Sequence, residues 1–259
     1  METLSVEHAD KMDKKLSILF EFLKENRTYN KYTQEAYYKS VLKPYQSVHE
    51  KVISLLYGII NTQSQPKLDF VGDFMRKAYD NVNLLGSYID FLRFLGSNDF
   101  DNRYCRIFEL LNKCPGWGGK TAALFEKTIY HLHNGLYDND LRIWEDAPVR
   151  LVKNDRIYLP VDTVIINVFK LLGCTTLSFN GINKLILNAG YENEQLEIWD
   201  DLWFWGYITQ KGSGQNRQII FNESKYWAYP YFNKQNSIMN EIKEKAGYFI
   251  KIIRMCDGE

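Results

Sequence analysis

Apolar side chains recur every three or four positions along most of this chain. In "VEHADKMDKKLSILFEFLKEN" Met12, Leu16, Leu19, Phe22 and Leu23 share one helical face. "SVHEKVISLLYGIINTQ" repeats the pattern and ends near Gln63, and "PKLDFVGDFMRKAY" follows with Pro66 suited to a first helical turn. "LLGSYIDFLRFL", "DFDNRYCRIFELLNKC" and "KTAALFEKTIYHLH" continue the series. After a gap come "DTVIINVFKLLG", "GINKLILNAG", "EQLEIWDDLWFWGYIT" and "NSIMNEIKEKAGYFIKIIR". The exception is residues 134–160, where "APVRLVKNDRIYLP" has two β-leaning runs around Lys153-Asn154-Asp155 and predicts a hairpin. The expected class is all-α (mainly α), with one small β-hairpin.

Composition narrows the function only a little. With 45% hydrophobic and 25% charged residues in 259, this is an ordinary globular chain. Its 32 basic and 32 acidic side chains cancel, so no global field announces a nucleic acid. Any such binding needs a local patch, and Lys211 to Arg254 holds eight Lys/Arg against three Glu. A solvated face explains that bias equally well. Cys105, Cys114, Cys174 and Cys256 are scattered, which disfavours zinc and an iron–sulfur cluster and leaves no metal ligand set. No signal-peptide core and no membrane-length apolar run is present, so an intracellular protein without a membrane partner is expected.

The most informative stretch is "CPGWGGKTA", Cys114 to Ala122. Gly116, Gly118 and Gly119 reverse the chain, and Lys120 opens the next helix. Backbone N–H groups at such a start can hold a phosphate oxygen, although a tight helix–helix turn alone has the same composition. The helix dipole disfavours an ammonium at Lys120, which favours the neutral amine a nucleophile needs. An exposed lysine whose stem carries its charge away is the plainer reading. Further on, "YLPVDTVIINVFKLLG" places Asp162 at a helix N-cap. Capping accounts for it structurally, and a carboxylate held there can also face a developing positive charge.

Together, "CPGWGGKTA" and "PVDTVIINVFKLLG" resemble the helix-hairpin-helix (HhH-GPD) DNA glycosylase superfamily, whose motifs run roughly L-P-G-x-G-x-K-T-A and V-D-T-H-x-x-R-V-x-x-x-L-G. Upstream, "LLYGIINTQSQ" is similar to the family helix ending in L-L-S-A-Q-A-T. The resemblance spans roughly Lys51 to Gly173 and extends weakly through Gly206. Val164 and Asn167 replace the family's His and Arg, and residues 134–160 are inserted between the lysine and the aspartate. The family's cluster cysteines are missing after "DLWFWGYITQKG", so the chain is similar to the lysine-containing, cluster-free, 8-oxoguanine glycosylase-like branch.

The resemblance implies two helical lobes bracketing a cleft: a six-helix lobe over 47–133, the insertion 134–160, and a second lobe from 1–46 and 161–259. It implies a bifunctional DNA N-glycosylase and AP lyase with Lys120 as Schiff-base nucleophile and Asp162 as its carboxylate partner. Gln63, Gly116, Trp117, Gly118, Gly119 and Thr121 fall on DNA-contacting positions. From residue type and vicinity alone, one of Trp203 or Trp205 is expected to face a flipped base, with Asp200 or Asp201 bonding its edge. The implied partner is double-stranded DNA containing a damaged base, bound by a monomer. No cofactor is needed, apart from a structural monovalent cation on the carbonyls of the Cys114–Gly119 turn. A non-catalytic helix-hairpin-helix DNA-binding protein is the alternative.

Overall fold

The computed structural model describes residues 2–98, 101–192, 194–214 and 217–255, with side chains from residue 11 onward. The described chain is mainly helical. Its helices begin with α1 (Glu2–Glu25), α2 (Arg27–Leu42), α3 (Val48–Ile60), α4 (Leu68–Asp80), α5 (Tyr88–Phe94), α6 (Tyr104–Leu111) and α7 (Gly119–His133). They continue as α8 (Thr163–Leu171), α9 (Phe179–Asn188), α10 (Glu194–Asp200), α11 (Leu202–Ile208), α12 (Glu223–Ala228) and α13 (Asn236–Ile253). Short 3₁₀ turns lie at Val82–Leu85 and Asn139–Leu141. Two compact units divide the chain, one from Glu35–Pro160 and one from Met1–Gln34 with Val161–Glu259. The division falls inside α2 rather than at the expected residue 46, and 134–160 belongs with the first of these units.

In the Glu35–Pro160 unit, α3 starts on a reciprocal cap. The Ser47 hydroxyl accepts the Glu50 N–H, and the Glu50 carboxylate accepts the Ser47 N–H, both at 3.2 Å. The buried face of α3 (Val52, Leu55, Leu56, Ile59, Ile60) packs on α7. Pro66 precedes the α4 cap residue, Lys67, instead of entering the first turn. The start of "DFDNRYCRIFELLNKC" lies partly outside the described residues, and its helix begins only at Tyr104. Phe91 stacks on Phe125 and packs against Trp144, with centroids 5.4 and 5.1 Å apart.

No hairpin forms in residues 134–160, which contain no strand. Helix starts elsewhere in the unit claim this segment's polar groups. Asp155 accepts the N–H groups of Tyr104 and Cys105, each at 2.9 Å, and so caps α6 from fifty residues away. Asp146 accepts from Tyr88 and Ile89 at 2.8 and 3.1 Å and caps α5. Trp144 donates to the Leu85 carbonyl at 2.9 Å. Ile143, Trp144, Ala147, Ile157 and Leu159 are buried, so the insertion is a strap built into the core. Each such cap contributes on the order of 1 kcal/mol.

In the other unit, α1 packs on α10 and α13. Leu16, Leu19 and Leu23 are enclosed, and Phe22 sets its edge on Trp205 at 4.9 Å and lies 5.7 Å from Phe249. Helices α8 and α11 approach closely at Gly206, where a Cβ would stand 2.7 Å from Val164 Cγ1. The β structure of the described residues is here, a two-residue antiparallel ladder of β1 (Gln210–Lys211) and β2 (Gln218–Ile219).

Candidate functional site

The glycine turn and the end of α3 are brought together. Between α6 and α7 the chain tightens through Cys114 N–H to Leu111 O at 2.9 Å and Trp117 N–H to Cys114 O at 3.1 Å. Gly116 takes φ +87°, and an added Cβ would press on Phe70 backbone and side-chain atoms at 3.2–3.3 Å. Glycine is required there by both conformation and space. From the far side, Gln63 donates through Nε2 to Gly116 O at 2.9 Å and to Ile60 O at 3.1 Å. Lys120, in the first turn of α7, donates through Nζ to Thr62 O at 2.9 Å and Thr62 Oγ1 at 3.1 Å. Thr62 in turn donates its hydroxyl to Ile59 O. Lys120, Gln63 and Gly116 therefore form one polar cluster, in which Thr62 is the unforeseen member.

Two residues expected at a DNA surface point inward. Trp117 is buried against Phe74 and Phe125 at 5.2 and 6.0 Å, so its indole supports the turn. Thr121 is also buried, and its hydroxyl accepts the Gly118 N–H and donates to Gly118 O, both at 3.1 Å. Gly118 is the exposed position, in extended conformation at φ −138° with open space where a Cβ would go. Cys114 O accepts from Trp117 N–H and Gly116 O from Gln63 Nε2, which leaves each carbonyl a second lone pair.

Asp162 caps α8. Its Oδ1 accepts the N–H groups of Val164 and Ile165 at 2.8 and 3.0 Å, and its Oδ2 accepts the Trp203 indole N–H at 3.2 Å. Trp203 is half-buried and stacks on Tyr207, with centroids 4.9 Å apart and planes 16° apart. Tyr229 packs against both rings at 5.7 and 5.5 Å. Val164 and Asn167 are buried in α8.

The remaining base-pocket candidates hold the fold together. Trp205 is fully enclosed by Phe22, Tyr29, Phe204 and Phe249. Asp201 accepts from Asn30 at 2.6 Å and Arg27 at 3.2 Å, while Gln34 donates to Asp200. Burial pushes the Asp201 carboxyl up to about 8, against Asn30 and Arg27, which pull it down. These carboxylates anchor α2, and of the expected aromatic pair only Trp203 meets Asp162.

Among the described residues, no group of three or more His, Cys, Asp or Glu side chains is placed to hold a metal ion. Cys105, Cys114 and Cys174 are free thiols, and Cys256 lies outside the described residues. No described helix is long and apolar enough to cross a membrane. Comparison with protein family models, with curated proteins and with solved structures finds no match to this chain.

Proposed function

We propose that this chain is a DNA repair glycosylase with AP lyase activity, excising an oxidised base such as 8-oxoguanine from duplex DNA through a Schiff base on Lys120. The observation that carries the reading is the convergence of Lys120 with Thr62, 58 positions earlier, while Gln63 closes on the same glycine turn. In this mechanism the flipped nucleotide presents its anomeric carbon to Lys120 Nζ. The C–N bond to the base breaks, and its electron pair leaves with the base, which takes up a proton. Lys120 Nζ bonds to that carbon as the base departs and sheds a proton, and the ring C–O bond then opens, its oxygen taking up a proton, to leave a protonated imine on the lysine. Loss of a proton from the neighbouring carbon then expels the 3′ phosphate. The resemblance assigns Asp162, held at the start of α8, to balancing positive charge on the sugar. The exposed edge of the turn at Gly118 meets the DNA backbone without regard to base sequence. The chain acts as a monomer without a metal or redox cofactor in the chemistry.

Borohydride trapping on lesion duplexes tests this. Wild type is expected to give a covalent complex and Lys120→Gln none, with binding retained. Trapping that survives in Lys120→Gln would place the nucleophile elsewhere. A second reading, non-catalytic DNA binding, draws support from the Lys120 ammonium being engaged as a donor to Thr62 and from Gln63 turning inward. It predicts lesion-duplex binding with no trapping in wild type.

A further inference from the structure

A second cationic feature lies beside Asp162, within the same unit. Lys225, half-buried in α12, donates to the Tyr207 carbonyl at 3.0 Å, and its Nζ lies 4.5 Å from the Tyr207 ring centre. That ring stacks on Trp203, which donates to Asp162. Arg217 donates to Gln210 Oε1 at 3.2 Å. Gln210 is wholly buried and fixed by its own bond to Val164 O at 3.0 Å, so it pins the guanidinium to the first turn of α8.

The electrostatics of this group are unbalanced. Burial and the like charge of Arg217 push the Lys225 ammonium below the usual lysine range, and Asp162 partly restores it. Asp162 is a single carboxylate against two cations, and both its oxygens are engaged, one by the α8 backbone and one by Trp203. A second anion would stabilise both cations. The adjoining Trp203–Tyr207 pair offers aromatic surface, and a nucleotide carries an anion and an aromatic ring system together.

We infer that Lys225 and Arg217 form a phosphate-holding subsite beside Asp162, taking a backbone phosphate of a nucleotide whose base lies near the Trp203–Tyr207 pair. This rests on reading Asp162 as part of a DNA site, and it assigns Lys225 and Arg217 to positioning, not to the chemistry. Lys and Arg together suit a phosphate, since one supplies a compact charge and the other a planar fork.

The test uses the intact protein and a duplex carrying a tetrahydrofuran abasic analogue, with binding followed by fluorescence anisotropy across a potassium chloride series. Lys225→Gln is expected to weaken binding about tenfold, as loss of one charged hydrogen bond implies. It should also flatten the plot of log affinity against log salt by about 0.9. Lys225→Arg should recover most of both, and circular dichroism melts establish that each variant is folded. Wild-type affinity and slope in both Lys225→Gln and Arg217→Gln would overturn the subsite, while intact trapping at Lys120 would leave the glycosylase reading standing. If wild type binds no duplex, the DNA reading fails, and titration with deoxyguanosine 5′-monophosphate decides the subsite alone. Saturable tryptophan quenching lost in Lys225→Gln would support a free-nucleotide site, and no quenching would overturn it.

Discussion

Gly116 and Gly118 stand two residues apart in one turn and should respond oppositely to a single added methyl group. At Gly116 an alanine must hold φ +87° and push against Phe70 at 3.2–3.3 Å. The left-handed conformation costs roughly 1–2 kcal/mol, and displacing packed atoms adds about 1 kcal/mol. Reduced freedom of the unfolded chain returns about 0.4–1 kcal/mol. The net loss is about 2 kcal/mol, or a fall of roughly 4–8 °C in Tm for a protein of this size. At Gly118 the backbone is extended and nothing lies within 4 Å of the new Cβ. There the unfolded-state gain and the weaker capping of alanine nearly cancel, leaving a change within about 0.5 kcal/mol. Gly118→Ala is therefore a folded protein that differs only in what can approach the turn from outside. Urea and thermal melts of both variants, with salt titrations on damaged and undamaged duplexes, separate the two effects. Gly118→Ala should weaken both duplexes together. A Gly118→Ala protein as destabilised as Gly116→Ala would refute the structural reasoning, and unchanged affinity in the folded variant would remove the phosphate-gripping role.

Asp162→Asn should fold, because an asparagine oxygen still caps α8, but its amide N–H₂ then faces the Trp203 N–H. Base excision should fall by about 10²-fold or more, with a shift in tryptophan emission, and an unfolded variant with full specific activity would reduce Asp162 to a cap. Asp155→Ala should cost about 2–3 kcal/mol, since it strips a cap and strands buried N–H groups. Asp146→Ala, at an exposed cap, should cost about 1 kcal/mol; the reverse order in urea melts would contradict the strap. His133 is buried and accepts the Ile143 N–H through Nε2, and burial followed by Arg142 depresses its pKa to about 4. A depressed histidine gives stability that is complete above about pH 6.5 and is lost as pH falls toward 4, by roughly 3 kcal/mol. His133→Gln should flatten that part of the pH profile, and an unaltered profile would count against the neutral imidazole.

Elements with an apolar stripe were legible from the sequence, and those whose inward positions are polar were not. The faces of α3 and α13 can be read by spacing alone. Helix α2 cannot, because Asn30 and Thr33 are among its buried positions and Arg27, Asn30 and Gln34 pair with carboxylates far along the chain. The pattern from Glu194 to Ile208 reads as one helix, and the chain divides it at Asp201 into α10 and α11. In 134–160 the β-leaning residues are real, but Ile157 and Leu159 are buried in the strap and Asp155 serves α6. Two-residue strands at Gln210 and Gln218 are too short to show alternation. Motif spacing singles out Lys120, Gln63 and Asp162 as candidates from the sequence alone. Their immediate partners Thr62 and Trp203, and the cations Lys225 and Arg217, depend on long-range packing that spacing does not encode.

The order in which a ribosome delivers the chain has a consequence for the unit that contains α1. Helix α1 packs against α13, which follows only after the whole Glu35–Pro160 unit. The Glu35–Pro160 unit is complete once Pro160 has emerged, with both its strap and its capped helices in hand. Throughout that time Leu16, Leu19, Phe22 and Leu23 have left the exit tunnel without Trp205 or Phe249 to cover them. Helix α1 is thus made well before the helix that houses it, and until then it is an apolar surface open to chaperones or to the same helix on a neighbouring nascent chain.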